Sequence, residues 1–457
     1  MNHNQCARNA GRLLVIVLVM LMFTAIASAE WKEKVLYSFQ GGSDGFQPAG
    51  GVVFDKSGNL YGATSWGGTI CPSPGCGVVF EVSPPSTKGG AWTETAIYVF
   101  KGVQGGLGDG LTPVGGLIID QQGSLYGTTS LGGNGPCILL GSPAGCGTVY
   151  KLSPPAKKGQ EWTETILYNF QGGTDGYFPW GDLVSDTDGN LYGATQFGGG
   201  KGTTCNQFYG GKCGSVFKLS PPENKGGRWK EKILHRFAGG TDGANPNGGL
   251  VLDSKGAIYG TAVAGGYGKG ICDPGGCGIT FGLDPPAKSG GAWMKKVLYL
   301  FHGQDGASPA GLVFGKNGNL YGSATSGGNS GSGAVFVLAA PAGGGTPWKE
   351  TVLYRFKDKG DGTNPKSTPV FDASGSLYGT ALGGETHLGV VFRLRPPKHG
   401  GSWSLTTVYN FVGPPDGSEP EAELISDGLG KIYGMTQYGG TGTSCQGGCG
   451  TVFRANP

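Results

Sequence analysis

The sequence predicts an all-β fold: a seven-bladed β-propeller with four antiparallel strands per blade, in which the N-terminal strand closes the last blade. Three observations carry this expectation. A Leu/Ile-Tyr-Gly core recurs at Tyr61, Tyr126, Tyr192, Tyr259, Tyr321, Tyr378 and Tyr433, at intervals of 55 to 67 residues, a period that marks a repeat architecture. Each unit contains four short apolar, β-branched or aromatic runs bounded by Gly, Pro, Asn and Asp, which is the pattern of strands. The ends of the chain are out of phase with the repeat. The first strand, Glu33–Phe39, is of the fourth type, and the seventh unit ends with the other three. Pairing the two ends would leave no open sheet edge.

The elements follow in chain order. Residues 1–29 read as a signal peptide: Arg8 and Arg12 precede an apolar run from Leu13 to about Ile26, and Ala27-Ser28-Ala29 supplies a small-residue cleavage pattern. Residues 30–457 then form one propeller domain. The first strand of each unit is typified by Gly51–Asp55 and the second by Leu60–Thr64. A link containing Gly58, Gly123, Gly189, Gly256, Gly318, Gly375 or Gly430 joins them, short enough to require a hairpin. That shortness disfavours a parallel β-helix, whose strands cannot be joined so tightly. The third strand, Gly77–Val82, runs in five units into Pro-Pro, which cannot continue a ladder. A tryptophan opens the fourth strand in every unit (Trp31, Trp92, Trp162, Trp229, Trp293, Trp348, Trp403). Runs that are apolar on both faces imply sheets covered on both sides, as blades are.

Ten cysteines remain after the signal and fall into local pairs: Cys71/Cys76, Cys137/Cys146, Cys205/Cys213, Cys272/Cys277 and Cys445/Cys449. An even, locally paired set in an exported chain reads as disulfides. Variable spacing and the lack of an accompanying histidine argue against metal sites. Without Arg8 and Arg12, 32 of the 34 basic residues face 31 acidic ones. This balance does not favour nucleic acid or an anionic membrane surface, both of which need clustered positive charge. After the signal, no stretch approaches the length needed to span a bilayer. The expected location is therefore secreted, periplasmic or at the cell surface.

The combination of Leu-Tyr-Gly-x-Thr, Gly-Gly, Gly-x-Val-Phe-x-Leu, Val-Leu-Tyr-x-Phe and Gly-Gly-x-Asp-Gly, repeated seven times over residues 30–457, resembles the GloVer tandem repeat of exported bacterial proteins. The resemblance implies export and a repeat fold, and in many members a C-terminal surface anchor; no hydrophobic tail stands before Pro457. It implies no defined activity.

Chemistry has to be sought in single residues. The Asp-Gly pairs at Asp44, Asp109, Asp175, Asp242, Asp305, Asp361 and Asp416 suit turns better than seven calcium ligands. Asp186-Thr-Asp188-Gly-Asn190 has its glycine in the wrong place for a calcium loop, and Phe197 stands where the bidentate glutamate belongs. Four histidines (His235, His302, His387, His399) are scattered over the repeats, and no nucleophile elbow, zinc-protease or phosphate-loop motif occurs. No catalytic residue, metal or cofactor is expected.

Departures from the repeat are more informative. The first position of the first strand reads Gly51, Gly116, Asp182, Gly249, Gly311, Thr368 and Glu423, so the third and seventh units alone place a carboxylate there. The same units carry Gln196-Phe197 and Gln437-Tyr438, and Trp180 precedes Asp182. Trp66 and Trp180 are the two tryptophans outside the repeated position. Asp182, Glu423, Trp180, Trp66, Phe197 and Tyr438 are therefore the candidate ligand-binding residues, on the reading that carboxylates beside aromatic faces suit a sugar. The expected function is a non-catalytic binding or scaffolding propeller recognising glycan or protein; a carboxylate-dependent polysaccharide hydrolase or lyase is the alternative.

Overall fold

The computed structural model describes residues 32–456, apart from 103–107, 140, 158, 200–212, 225, 267–271, 273–274, 289 and 344. Residues 1–29, expected to be a signal peptide, together with Trp31 and Cys205 lie outside these described residues. Seven antiparallel sheets form a propeller. The first blade is Phe46–Phe54, Leu60–Trp66, Val78–Ser83 and Thr93–Val99, in that spatial order from the axis outward. The N-terminal strand Lys32–Ser38 pairs antiparallel with Thr451–Asn456 and supplies the outermost strand of the seventh blade, as expected.

Register explains why the repeated words occur together. The glycine of each Leu-Tyr-Gly lies opposite the aromatic residue of the third strand, as in Gly62 with Phe80 and Gly193 with Phe217. A Cβ on Gly62 would sit 2.6 Å from Phe80 Cζ, and one on Gly193 2.5 Å from Phe217 Cζ. Only glycine leaves room for the ring. That ring then meets, edge to face, the phenylalanine that ends the outermost strand of the preceding blade. The seven pairs run from Phe39–Phe80 to Phe411–Phe453, with centroids 5.0 to 5.2 Å apart. Near the opposite face, the tryptophan before the outermost strand packs on the tyrosine of the preceding blade at four junctions: Trp162 on Tyr61, Trp293 on Tyr192, Trp348 on Tyr259 and Trp403 on Tyr321. The apolar core thus lies between blades, and each cluster mixes residues of two neighbours.

The innermost strand differs from expectation. It begins earlier than Gly51, at Phe46, and its register with the second strand shifts between Ala49 and Val53. In the third blade it is two pieces, Tyr177–Pro179 and Val184–Ser185. An Asp-Gly-x-x-Pro segment causes this. The residue before its proline adopts a left-handed backbone in every blade: Gln47, Thr112, Phe178, Asn245, Ser308, Asn364 and Glu419, with φ from 48 to 61°. Such a conformation costs about 1–3 kcal/mol per non-glycine residue. The offset is a latch between blades. The N–H of Gln47 donates to the Cys449 carbonyl (3.1 Å), that of Phe178 to Cys146 (3.1 Å) and that of Asn364 to Ser332 (2.9 Å), with equivalent bonds at the other four junctions. The proline ring lies against the glycine after that carbonyl residue: a Cβ on Gly450 would come within 2.5 Å of Pro48 Cδ.

Four of the five expected disulfides are described, Cys71–Cys76, Cys137–Cys146, Cys272–Cys277 and Cys445–Cys449. The fifth expected pair, Cys205 with Cys213, is not among them, because Cys205 lies outside the described residues. Cys213 itself is fully buried and disulfide-bonded, and its carbonyl accepts the latch bond from Asn245. The Asp-Gly aspartates take turn roles. Asp44 accepts from the Gln40 and Gly42 N–H groups and from the Tyr37 hydroxyl, and Asp175 and Asp416 repeat the pattern with Tyr168 and Tyr409. Asp186 is likewise a hairpin acceptor, bonded by the Asp188 and Asn190 N–H groups and the Tyr192 hydroxyl.

Candidate ligand site at the channel mouth

The innermost strands of all seven blades converge on one cavity of about 400 Å³, on the face where the Asp-Gly and cysteine loops emerge. At its floor the expected ring of first positions closes around the axis. Four of its seven members are glycines because the other three side chains fill the middle. A Cβ on Gly116 would lie 2.9 Å from Asp182 Oδ2 and one on Gly51 3.2 Å from Glu423 Cβ, while one on Gly311 would overlap the Thr368 hydroxyl.

Asp182 and Glu423, 241 positions apart in sequence, thus meet across the axis. The Gly116 N–H donates to Asp182 Oδ1, and the Thr368 hydroxyl donates to Glu423 Oε1. The Glu423 carboxyl is raised well above the usual carboxylate range, first by burial and then by the adjacent Asp182, with which it shares a hydrogen bond. Burial and the neighbouring carboxylate thus favour the protonated, neutral form of Glu423. The repeat supplies the backbone frame, and the two exceptions supply this pair.

Above the floor the wall combines polar side chains with one exposed tryptophan. Lys366 and Glu421 form an ion pair, and Gln437 Nε2 donates to Glu421 Oε2 at 3.2 Å. Gln196 of the third blade and Asn247 of the fourth add further polar groups. Trp180, also of the third blade, lines the same cavity, 38% exposed, with its indole stacked on Phe178 at 5.4 Å and 7° between planes. The left-handed backbone at Phe178 places its ring beneath the tryptophan.

Of the six candidate residues, the cavity brings together Asp182, Glu423 and Trp180. Phe197 does not offer an exposed face. It is 8% exposed and packs under Phe178 and Tyr177, because the alternation of the second strand turns it away from solvent. Tyr438 faces a separate cavity with Phe46 and accepts from Gln47 Nε2 at 2.9 Å. Trp66 sits opposite Phe46 at the end of its strand, outside the channel lining. The sequence reading overlooked Lys366 and Glu421. Their signal was available: both directly follow the Asp-Gly-x-x-Pro proline, with Glu421 two residues before Glu423.

The Gloeobacter/Verrucomicrobia repeat matches residues 22–205 and 270–457. The chain belongs to that family. No curated protein matches this repeat protein. Among solved structures it is similar to the PQQ-bound aldose sugar dehydrogenase of Streptomyces coelicolor, at 13% identity over 94% of this chain and 98% of that one, with a TM-score of 0.44. It is also similar to a putative glucose dehydrogenase of Thermus thermophilus (17% identity, 76% and 98% covered, TM-score 0.41) and to a gluconolactonase of Xanthomonas campestris (14%, 68% and 78%, 0.35). Likeness of this degree assigns the repeat protein no activity.

Proposed function

We propose that this repeat protein is an exported, non-catalytic binding propeller that takes the end of a glycan into the channel mouth. The observation that carries the reading is the exposed Trp180 indole, braced by Phe178 beside a rim of Lys366, Glu421, Gln196 and Gln437. A sugar ring can stack on the indole while its hydroxyls bond to the rim. Local disulfides and membership of a bacterial repeat family support export.

The hydrolase alternative is weakened by the carboxyls themselves. Glycosidases hold their two carboxyls roughly 5 Å or more apart so that the glycosidic bond passes between them. Asp182 and Glu423 instead interact directly at the cavity floor, which supports the binding reading over the hydrolase one. A glycan array probed with the purified protein tests the reading. Trp180→Ala should lose about tenfold or more in affinity for any positive glycan, the scale of one lost aromatic stacking partner. Undiminished binding by that variant would remove the channel mouth as the site.

A further inference from the structure

A second departure from the repeat lies on the opposite face. The residue after the third-strand aromatic reads Glu81, Lys151, Lys218, Gly282, Val337, Arg393 and Arg454 along the chain. It stands opposite the Leu-Tyr-Gly tyrosine: Lys151 faces Tyr126, Lys218 faces Tyr192, Arg393 faces Tyr378 and Gly282 faces Tyr259. In three of these blades the side chain covers its tyrosine as a cation over a ring. Lys151 Nζ lies 5.1 Å from the Tyr126 centroid, Lys218 Nζ 5.4 Å from Tyr192, and the Arg393 guanidinium 5.5 Å from Tyr378. Two of them also reach the hairpin aspartate that accepts the tyrosine hydroxyl: Lys151 with Asp120 at 3.9 Å and Arg393 with Asp372 at 3.7 Å.

The fourth blade keeps every part of this arrangement except the cation. The Tyr259 hydroxyl donates to Asp253 at 3.2 Å. Phe314 meets Tyr259 edge-on at 5.4 Å, and Trp348 packs on it at 5.8 Å. With glycine at 282, these rings and Asp253 line an open cavity of about 770 Å³ between the fourth and fifth blades. Lys296, the other cross-strand neighbour of Gly282, is ion-paired with Asp284. The exposed Lys255 and Lys316 stand at the edge of the cavity.

We propose that this cavity binds a guanidinium or alkylammonium group, seated over Tyr259 where Lys151, Lys218 and Arg393 sit over their own tyrosines. Three aromatic rings and a carboxylate that already accepts the tyrosine proton are the chemistry that holds such a cation. The site is independent of the channel mouth and survives if the glycan reading fails.

The test uses the mature chain and three probes: butylguanidinium, tetramethylammonium, and neutral butylurea as control. Binding is followed by calorimetry and by the Trp348 indole N–H resonance, assigned with Trp348→Phe. Both cations should bind saturably in the millimolar range, as expected for a partly exposed cation–π site, and butylurea should not. Gly282→Lys supplies the cation from the chain itself and should weaken probe binding about tenfold or more. Its fold is expected to be intact, since a Cβ at 282 meets its nearest neighbour, Leu298 Cδ2, at 3.4 Å. Gly282→Ala adds bulk without charge and should bind nearly as the wild type does, which keeps the test usable if the lysine variant misfolds. Equal cation binding by wild type and Gly282→Lys, a butylurea response matching the cations, or no saturable response of the Trp348 resonance would overturn the proposal.

Discussion

Acidification should stabilise the propeller, because five glutamates on its outermost strands are held in their neutral form. Glu33, Glu94, Glu164, Glu231 and Glu350 each stand two residues after the repeated tryptophan. Each is half-buried and faces the Asp-Gly aspartate of the link leading into its own blade, with one carboxyl oxygen buried and unbonded. Burial first, and then Asp416, pushes Glu33 up to about 8; burial and Asp109 do the same to Glu164. Glu94, Glu231 and Glu350 rise to about 7 by burial and by Asp44, Asp175 and Asp305. The folded chain therefore keeps these protons at pH values where the unfolded chain, titrating near 4.5, has lost them. Their stabilising contribution is full below about 4.5 and is lost as pH rises through 7 to 8. A three-unit shift corresponds to about 4 kcal/mol for a fully buried group. Solvent screening of these half-exposed side chains reduces that to about 1 kcal/mol each, or about 5 kcal/mol in total. For a chain of this length that is a fall of about 5 °C in melting temperature. The assay is thermal unfolding at pH 5 and pH 8.5 for wild type and Glu94→Gln. The variant should gain about 1 kcal/mol at pH 8.5 and show a shallower pH dependence. The fourth blade is a natural control: Lys295 replaces the glutamate and bonds Asp242 at 2.7 Å. A melting temperature that is flat or rising from pH 5 to 8.5 would refute the reasoning.

Deleting residues 30–40 removes the strand Lys32–Ser38 together with buried Leu36 and Phe39. Two such side chains are worth about 1.5–3 kcal/mol each, so the truncated protein should aggregate or melt far lower; an unchanged stable monomer would contradict ring closure. Gly193→Ala places a methyl 2.5 Å from Phe217 Cζ and should cost about 1–3 kcal/mol in denaturant unfolding. Reduction should lower stability by only about 2 kcal/mol per disulfide, since the cysteines of each described pair are 4 to 9 residues apart. Peptide mapping without reductant should recover those four local pairs and a fifth linking Cys205 to Cys213.

The blades were legible because their chemistry is repeated. Leu-Tyr-Gly and Val-Phe recur together as two halves of one contact, and the phase of the chain ends announced the closure. The latch was harder to read, although Asp-Gly-x-x-Pro is equally regular. A left-handed residue before proline is improbable from local rules, and the inter-blade bond that holds it is not local. At the channel, the axis-facing ring could be read from Asp182 and Glu423 standing among glycines. Which aromatics accompany them could not, because the side-chain direction at Phe197 depends on the alternation of the second strand, and Trp66 and Tyr438 lie beyond the part of the strand that lines the cavity. Glu421 and Lys366 matter through a contact between neighbouring blades, which no single unit displays.

The most direct test of the central claim pairs two readings on one sample: affinity for an array-positive glycan, and release of reducing ends from that glycan over many hours. The account predicts saturable binding, an intact glycan, and loss of affinity in Trp180→Ala with an unchanged melting temperature. Release of reducing ends that Asp182→Asn or Glu423→Gln abolishes would contradict it and make the channel floor a catalytic pair.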